Sequence, residues 1–183
     1  MNVIFRRTGE RRYSVTVEVA GMPLQTMDPA PGFDTHIPHD LVHYVVEAES
    51  GLTSGVFGRA ASGAGTFIPT AEAGQQGPRE RARARRKQLR REASLGKSDA
   101  KGQGDMLNSE RLAAVSDLLW RRRQGQVPDP SRAAPNVSLS ADDAKRVERI
   151  VARLAALAPL WNRLPIGGEL AFVWPSTEPS TGS

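Results

Sequence analysis

The sequence contains no cysteine, few aromatic residues (5% Phe, Trp and Tyr) and only three histidines. The absence of cysteine excludes disulfide bonds, zinc fingers built on thiolates and a cysteine nucleophile. No stretch approaches the roughly 20 apolar residues that cross a membrane, and the first residues have too short an apolar run for a signal peptide. We therefore expect a cytoplasmic protein, with a modest core and no membrane partner.

The positive charge is confined to one part of the chain. The formal net charge is +5, but residues 79–92 alone carry eight basic and two acidic side chains, so the remainder is nearly neutral. The surrounding segment is too polar to offset its ordering entropy, which predicts a disordered basic insertion. It either stays solvated or binds nucleic acid or an acidic protein, and it lacks aromatic side chains to stack on bases. Its basic residues are Arg79, Arg81, Arg83, Arg85, Arg86, Lys87, Arg90 and Arg91.

Alternating apolar and polar residues predict strands at both ends of the chain. Residues 2–27 alternate in this way, and two turns divide them into the three strands of an antiparallel meander. Leu170 and Phe172 repeat the pattern and predict a last short strand that returns to the sheet.

Three segments have helical periodicity. The first covers residues 38–50, after a loop with two prolines and a glycine, where Asp34 or Thr35 can cap the helix. The second covers residues 107–123, and its apolar face consists of Leu112, Val115, Leu118 and Leu119. The third follows a capping box formed by Ser140 and Asp143. Its apolar stripe is Val147, Ile150, Val151, Leu154, Leu157 and Trp161.

These elements predict one α+β domain, in which a small antiparallel N-terminal meander is packed by two to three helices and a disordered basic insertion interrupts the chain. We assign the meander and first helix to residues 1–70, and the low-complexity basic linker to residues 71–104. Residues 105–175 hold the other helices and the final strand, which complete the same domain. Residues 176–183 are predicted to be a disordered tail.

All three histidines fall within eight positions. In a helix, His39, His43 and Glu47 stand at i, i+4 and i+8 and form one stripe, and His36 can reach the same side. The apolar residues of this helix lie roughly opposite, so the stripe is either a functional site or simply a solvated polar face.

A helix uses this spacing to offer two imidazoles to a divalent metal ion, of which zinc is the first choice. His39 and His43 would be ligands, with Glu47 or His36 third and water fourth. Asp40 occupies the position of the general base in HExxH enzymes and could deprotonate that water. Aspartate is one methylene shorter than glutamate, which argues against a peptidase. Without metal, a histidine–carboxylate pair can still perform acid–base chemistry.

Four segments resemble a family of small uncharacterised bacterial proteins with a PHDLxHxxVE motif. They are residues 7–13, 27–32, 38–47 and 55–58, and the resemblance covers about the first 70 residues. It implies no known activity. The HDxxH core is also similar to the zinc motif of a ubiquinone-biosynthesis family, although the rest of the chain does not follow that all-helical family. This second resemblance implies metal at the two histidines.

Two hypotheses of different classes follow. The first is a divalent-metal site on the 38–50 helix, in a protein that would act as a metal-dependent hydrolase. The second is a non-enzymatic binding protein whose residues 79–91 contact nucleic acid or an acidic partner, with structural histidines. Metal content and salt-dependent binding separate them.

Overall fold

The structure, a computed structural model, describes residues 1–63, 67–69, 100–126 and 139–180. Residues 71–99 of the predicted basic insertion, including the basic residues of 79–91, lie outside the described residues. Among the helices that are described, none is long and apolar enough to cross a membrane.

Five strands form one antiparallel sheet. They are β1 (Asn2–Gly9), β2 (Arg12–Glu18), β3 (Gln25–Met27), β4 (Ile68–Pro69) and β5 (Glu169–Val173), in the spatial order β4-β3-β2-β1-β5. The predicted meander and the predicted final strand are both confirmed, since β5 pairs with β1. The first and last strands are therefore neighbours, which ties the two ends of the described chain together.

The sheet buries one face. Phe5 lies opposite Val15 on one side and opposite Leu170 on the other, and all three side chains are 9% exposed or less. Burying each such side chain stabilises the fold by about 1.5–3 kcal/mol. The opposite face carries polar residues such as Arg6 and Thr16, as expected for an antiparallel sheet with one face in water.

Four helices are described: α1 (His39–Ser50), α2 (Val56–Ala61), α3 (Ala100–Arg123) and α4 (Ala141–Asn162). The α+β class is thus confirmed. The first helix ends where predicted, at Gly51, whose φ of 65° is the left-handed conformation that ends many helices.

Helix α4 has the predicted cap and the predicted buried face. The Ser140 hydroxyl accepts a hydrogen bond from the Asp143 backbone N–H at 3.1 Å, which satisfies one of the free donors of the first turn. All six residues of the predicted apolar stripe are buried.

Helix α1 is central in the fold. It packs against α2, α3 and α4, and its seven consecutive residues 41–47 are all buried. On the sheet side, Tyr44 meets Phe5 with ring centroids 5.9 Å apart and Phe172 at 5.0 Å. A helix that is enclosed on every side has no solvated stripe along these residues.

Helix α3 differs from its prediction in length and in orientation. It begins at Ala100, so the end of the predicted linker, residues 100–104, is helical. Its most buried stripe is not the predicted one, although Leu112 belongs to both. Three of its five residues are serine or alanine. The stripe consists of Ser109, Leu112, Ala113, Ser116 and Trp120.

The predicted disordered tail is wrong for residues 176–180, which fold back onto the domain. Tyr44 donates its hydroxyl proton to the Ser176 carbonyl at 2.7 Å, and Thr177 donates to Glu49 at 2.9 Å. Pro179 forms a bridge with Phe172 of β5. The polar composition of the tail could not reveal these contacts, because the partners Tyr44 and Glu49 lie on α1, far away in the sequence.

Candidate functional site

A short loop leads into the histidine segment and fixes its start. The Asp34 carboxylate accepts hydrogen bonds from the backbone N–H groups of His36 (2.9 Å) and Ile37 (3.4 Å). It therefore stabilises the turn before α1, and the prediction that Asp34 or Thr35 caps α1 is wrong. Pro38 occupies the cap position, where no side chain bonds to the helix.

Two imidazole rings face each other on the first two turns of α1. The Nε2 atoms of His39 and His43 are 3.1 Å apart, and the rings meet edge to face with centroids 4.5 Å apart. His39 is exposed, whereas His43 is only 5% exposed. Burial and, to a smaller extent, the neighbouring His39 together lower the pKa of His43 from 6.5 to about 3. His43 is therefore neutral at physiological pH.

Glu47 is fully buried one turn further along and binds the start of α2. One carboxylate oxygen accepts from the Val56 N–H at 2.8 Å, and the other accepts from Phe57 at 2.9 Å and Gly58 at 3.4 Å. Burial raises the pKa of Glu47 to about 7, against these hydrogen bonds and one from Ser109, which lower it. Glu47 thus acts as the N-terminal cap of α2, supplied by another helix.

Two glycines allow this close packing around α1. A Cβ atom on Gly55 would collide with the Glu47 carboxylate. A Cβ atom on Gly32, whose φ is +71°, would lie 2.7 Å from the Cβ of His39. Both glycines belong to segments that carry the resemblance described above, and those segments meet around α1.

Helix α3 covers the polar stripe of α1 and adds two residues to it. The Ser109 hydroxyl, 1% exposed, lies 3.0 Å from His43 Nδ1 and donates to Glu47 Oε1 at 3.3 Å. Next to it, the Glu110 carboxylate approaches His43 Nε2 to 3.8 Å, and its side chain is 64% exposed. The sequence interpretation missed both residues, because they lie 66 and more positions away from His43 and carry no motif.

An open cleft of about 360 Å³ lies between α1 and α3 beside the histidine pair. Its apolar part includes Val42 and Ala113. Arg121 lines it too, and its guanidinium binds Asp34 at 3.0 Å and Asp117 at 2.9 Å, which ties the loop before α1 to α3. The residues lining the cleft are Gly32, Asp34, Ile37, His39, Val42, Glu110, Ala113, Ala114, Asp117 and Arg121.

The structure brings together some of the predicted site residues and separates others. His39 and His43 adjoin, as expected, but Glu47 does not reach them, because both of its oxygens accept hydrogen bonds from α2. Asp40 accepts from the Tyr13 hydroxyl at 2.7 Å and does not line the cleft. His36 does not line it either, and its carbonyl accepts from Asn162 of α4 at 3.0 Å.

The alternative of a solvated polar face is wrong for two of the three stripe residues. His43 is 5% exposed and Glu47 is 0% exposed, because α3 and the start of α2 cover the side of α1 that faces away from the sheet. The pattern within α1 indicated which side was polar, but it carried no information about what packs there. A buried, linked polar stripe is costly to keep unless each group is satisfied.

The metal ion predicted from the sequence has no complete set of ligands in this geometry. Within the described ranges, no three or more His, Asp, Glu or Cys side chains are gathered closely enough to hold a metal ion. Comparisons add no relative: no protein-family profile matches the chain, and neither a curated protein nor a solved structure is significantly similar to it. The resemblance to the family with the PHDLxHxxVE motif stays a prediction.

Proposed function

We propose that the protein binds a divalent metal ion, with zinc as the first choice, between the Nε2 atoms of His39 and His43. The single observation that carries this proposal is their separation of 3.1 Å. Tetrahedral zinc ligands at about 2.0–2.1 Å from the metal lie about 3.3–3.4 Å apart, so a small adjustment opens room for the ion. Solvent reaches this point through the cleft that His39 lines.

The protonation state of His43 favours this role. A metal competes with protons for an imidazole nitrogen, and the pKa of about 3 leaves His43 neutral over the physiological range. The edge-to-face packing of the two rings does not require two nitrogen atoms to face each other. The buried His43 nevertheless presents its Nε2 atom to that of His39, beside the cleft.

Glu110 is the proposed third ligand, in place of Glu47. Its Oε2 atom lies 3.8 Å from His43 Nε2, and its exposed side chain is free to turn toward the histidine pair. Two histidines and a glutamate leave one position for water, which is the ligand set of several zinc hydrolases. A metal-bound water is a nucleophile near neutral pH, so hydrolysis is the proposed reaction class. Asp40 has no part in this proposal, since Tyr13 binds it away from the cleft.

The test is the metal content of the untagged protein, measured by plasma mass spectrometry after purification without added metal. We expect about one equivalent of a divalent metal per chain in the parent protein. The double variant His39→Ala/His43→Ala should contain none. Glu110→Ala should retain the metal more weakly, because the two imidazoles remain.

His36→Ala is the matched control, since it removes the one histidine that lies outside the proposed site. It should keep the metal content of the parent protein. The proposal is overturned if the parent protein is empty and shows no change in melting temperature with added zinc. Equal loss of metal in His36→Ala and in the double variant would also contradict it.

The alternative function, binding of nucleic acid or an acidic protein by residues 79–91, stays a prediction. It is independent of the histidine pair, so none of the three variants above should alter it. Replacing the eight basic residues with glutamine should abolish any binding to nucleic acid, and that binding should weaken steeply with rising salt.

A further inference from the structure

We propose that Ser109 couples Glu47 to His43 and thereby fixes which nitrogen of the His43 ring is free to bind metal. The inference rests on the proposed function and deepens it, because it assigns a positioning role to a residue on another helix. It follows from the donors and acceptors around three buried side chains, each of which is at most 5% exposed.

The chain of hydrogen bonds begins at Glu47. Its two oxygens face the backbone N–H groups of Val56, Phe57 and Gly58, which can only donate. Above its pKa of about 7, Glu47 is a carboxylate that can only accept, so at the pH of 8 used below the Ser109 hydroxyl, 3.3 Å from Oε1, also donates to it. The direction of the first link is therefore set by the backbone of α2.

The second link follows from the first. With its only proton directed at Glu47, the Ser109 oxygen is an acceptor toward His43 Nδ1, which lies 3.0 Å away. His43 must then carry its proton on Nδ1. The Nε2 atom of the neutral His43 ring is left with a bare lone pair that faces Nε2 of His39. Metal-binding histidines in general donate their other ring N–H to a protein acceptor, which orients the ring.

The third link concerns His39. In the metal-free protein, the 3.1 Å contact requires His39 to donate its Nε2 proton to the bare Nε2 of His43. Binding a metal requires both Nε2 atoms to be bare. His39 is exposed, so water can supply a proton to Nδ1 and accept the one on Nε2, which leaves the ring in its other neutral tautomer. His39 thus changes tautomer on metal binding, while His43 does not.

The experiment is a two-bond ¹H–¹⁵N correlation spectrum of the histidine rings, recorded at pH 8 on metal-free protein and again with one equivalent of zinc. We expect the proton of His43 on Nδ1 in both spectra, and that of His39 on Nε2 before zinc and on Nδ1 after it. Spectra of His36→Ala and His39→Ala assign the rings.

Three variants of α3 serines separate coupling from packing. Ser109→Ala should release His43 from the Nδ1–H form and weaken zinc binding about 10–100-fold. Ser109→Thr, which keeps the hydroxyl, should retain both the Nδ1–H form of His43 and the zinc affinity of the parent protein. Ser116→Ala is the matched control: this serine is fully buried on the same helix face, its hydroxyl has no hydrogen-bond partner among the described residues, and its loss should change neither.

A His43 ring protonated on Nε2 in the metal-free parent protein overturns the inference, and this result is obtained even if Ser109→Ala fails to fold. Equal effects of Ser109→Ala and Ser116→Ala also overturn it. If His43 is protonated on Nδ1 and responds to Ser109→Ala but zinc does not bind, the coupling is supported and the proposed metal function is what fails.

Discussion

Glu47 is the residue whose loss should reveal most about how this site is built. Replacing it with alanine removes the acceptor for the Val56 and Phe57 N–H groups, at 2.8 and 2.9 Å, and for the weaker donors Gly58 and Ser109. These donors belong largely to the first turn of a six-residue helix, which has no other partner for them within the helix.

The expected cost follows from this count. A buried donor left without its partner costs about 1–3 kcal/mol, so the loss of the two short bonds together costs about 2–6 kcal/mol. That is a large share of the roughly 5–15 kcal/mol by which domains are stable. For a domain of this size the melting temperature should fall by about 4–24 °C.

Urea denaturation followed by tryptophan fluorescence measures the effect, with EDTA present to exclude any contribution of bound metal. Glu110→Ala is the matched control, because it also removes one carboxylate but from a side chain that is 64% exposed. We expect it to change the free energy of unfolding by less than about 0.5 kcal/mol.

Glu47→Gln gives a second, more conservative test. Both carboxylate oxygens face donors, so the amide nitrogen of glutamine meets a donor in either orientation. Its cost should fall between those of the other two variants. The reasoning is refuted if Glu47→Ala costs less than about 1 kcal/mol, or no more than Glu110→Ala, since either result means that Glu47 does not hold α2 in place.

Two further predictions concern the histidine pair. The folded protein keeps His43 neutral down to about pH 3, whereas the unfolded chain protonates it near pH 6.5. Acidification within that window should therefore destabilise the protein relative to His43→Gln by up to about 1.4 kcal/mol per pH unit. If the difference in unfolding free energy between the two proteins stays constant from pH 6.5 to 4.5, this prediction is contradicted. Gly32→Ala should push against His39 and weaken zinc binding, measured by calorimetry, whereas Gly21→Ala, at a similar φ of +77° with nothing within 4 Å, should leave zinc affinity unchanged; equal affinities in the two variants would show that Gly32 does not position His39.

The parts of the fold that could be predicted are those in which one face is buried and the other meets water. The meander residues of β1 and β2 alternate because the sheet has one wet face, and the α4 stripe repeats every three to four residues for the same reason. In such elements the sequence pattern and the burial pattern coincide.

Helix α1 could be located from its pattern, but its surroundings could not. Seven consecutive residues, 41–47, are buried, including His43 and Glu47. A periodic pattern distinguishes polar from apolar sides of a helix, and it does not show that another polar surface covers the polar side. Only the packing of α2 decides that Glu47 binds backbone N–H groups instead of joining the histidines.

Helix α3 shows the converse problem. Ser109 and Ser116 lie in its most buried stripe, where an apolar pattern leaves gaps, so the predicted face was rotated toward Val115 and Leu119, which are only partly buried. Ser109 is short enough to be enclosed and polar enough to bond to two partners. No local rule distinguishes it from a surface serine.

The enclosed polar stripe sets the stability of the fold against the proposed metal binding at the same positions. His43 of α1 and Ser109 of α3 face each other. A leucine and an alanine at these sites would pack together without the cost of removing polar groups from water. Replacing linked buried polar groups with apolar ones of similar size is often neutral or stabilising. A redesign or a selection guided only by thermostability would therefore drift toward an apolar helix interface and yield sturdier proteins without the proposed metal ligand His43.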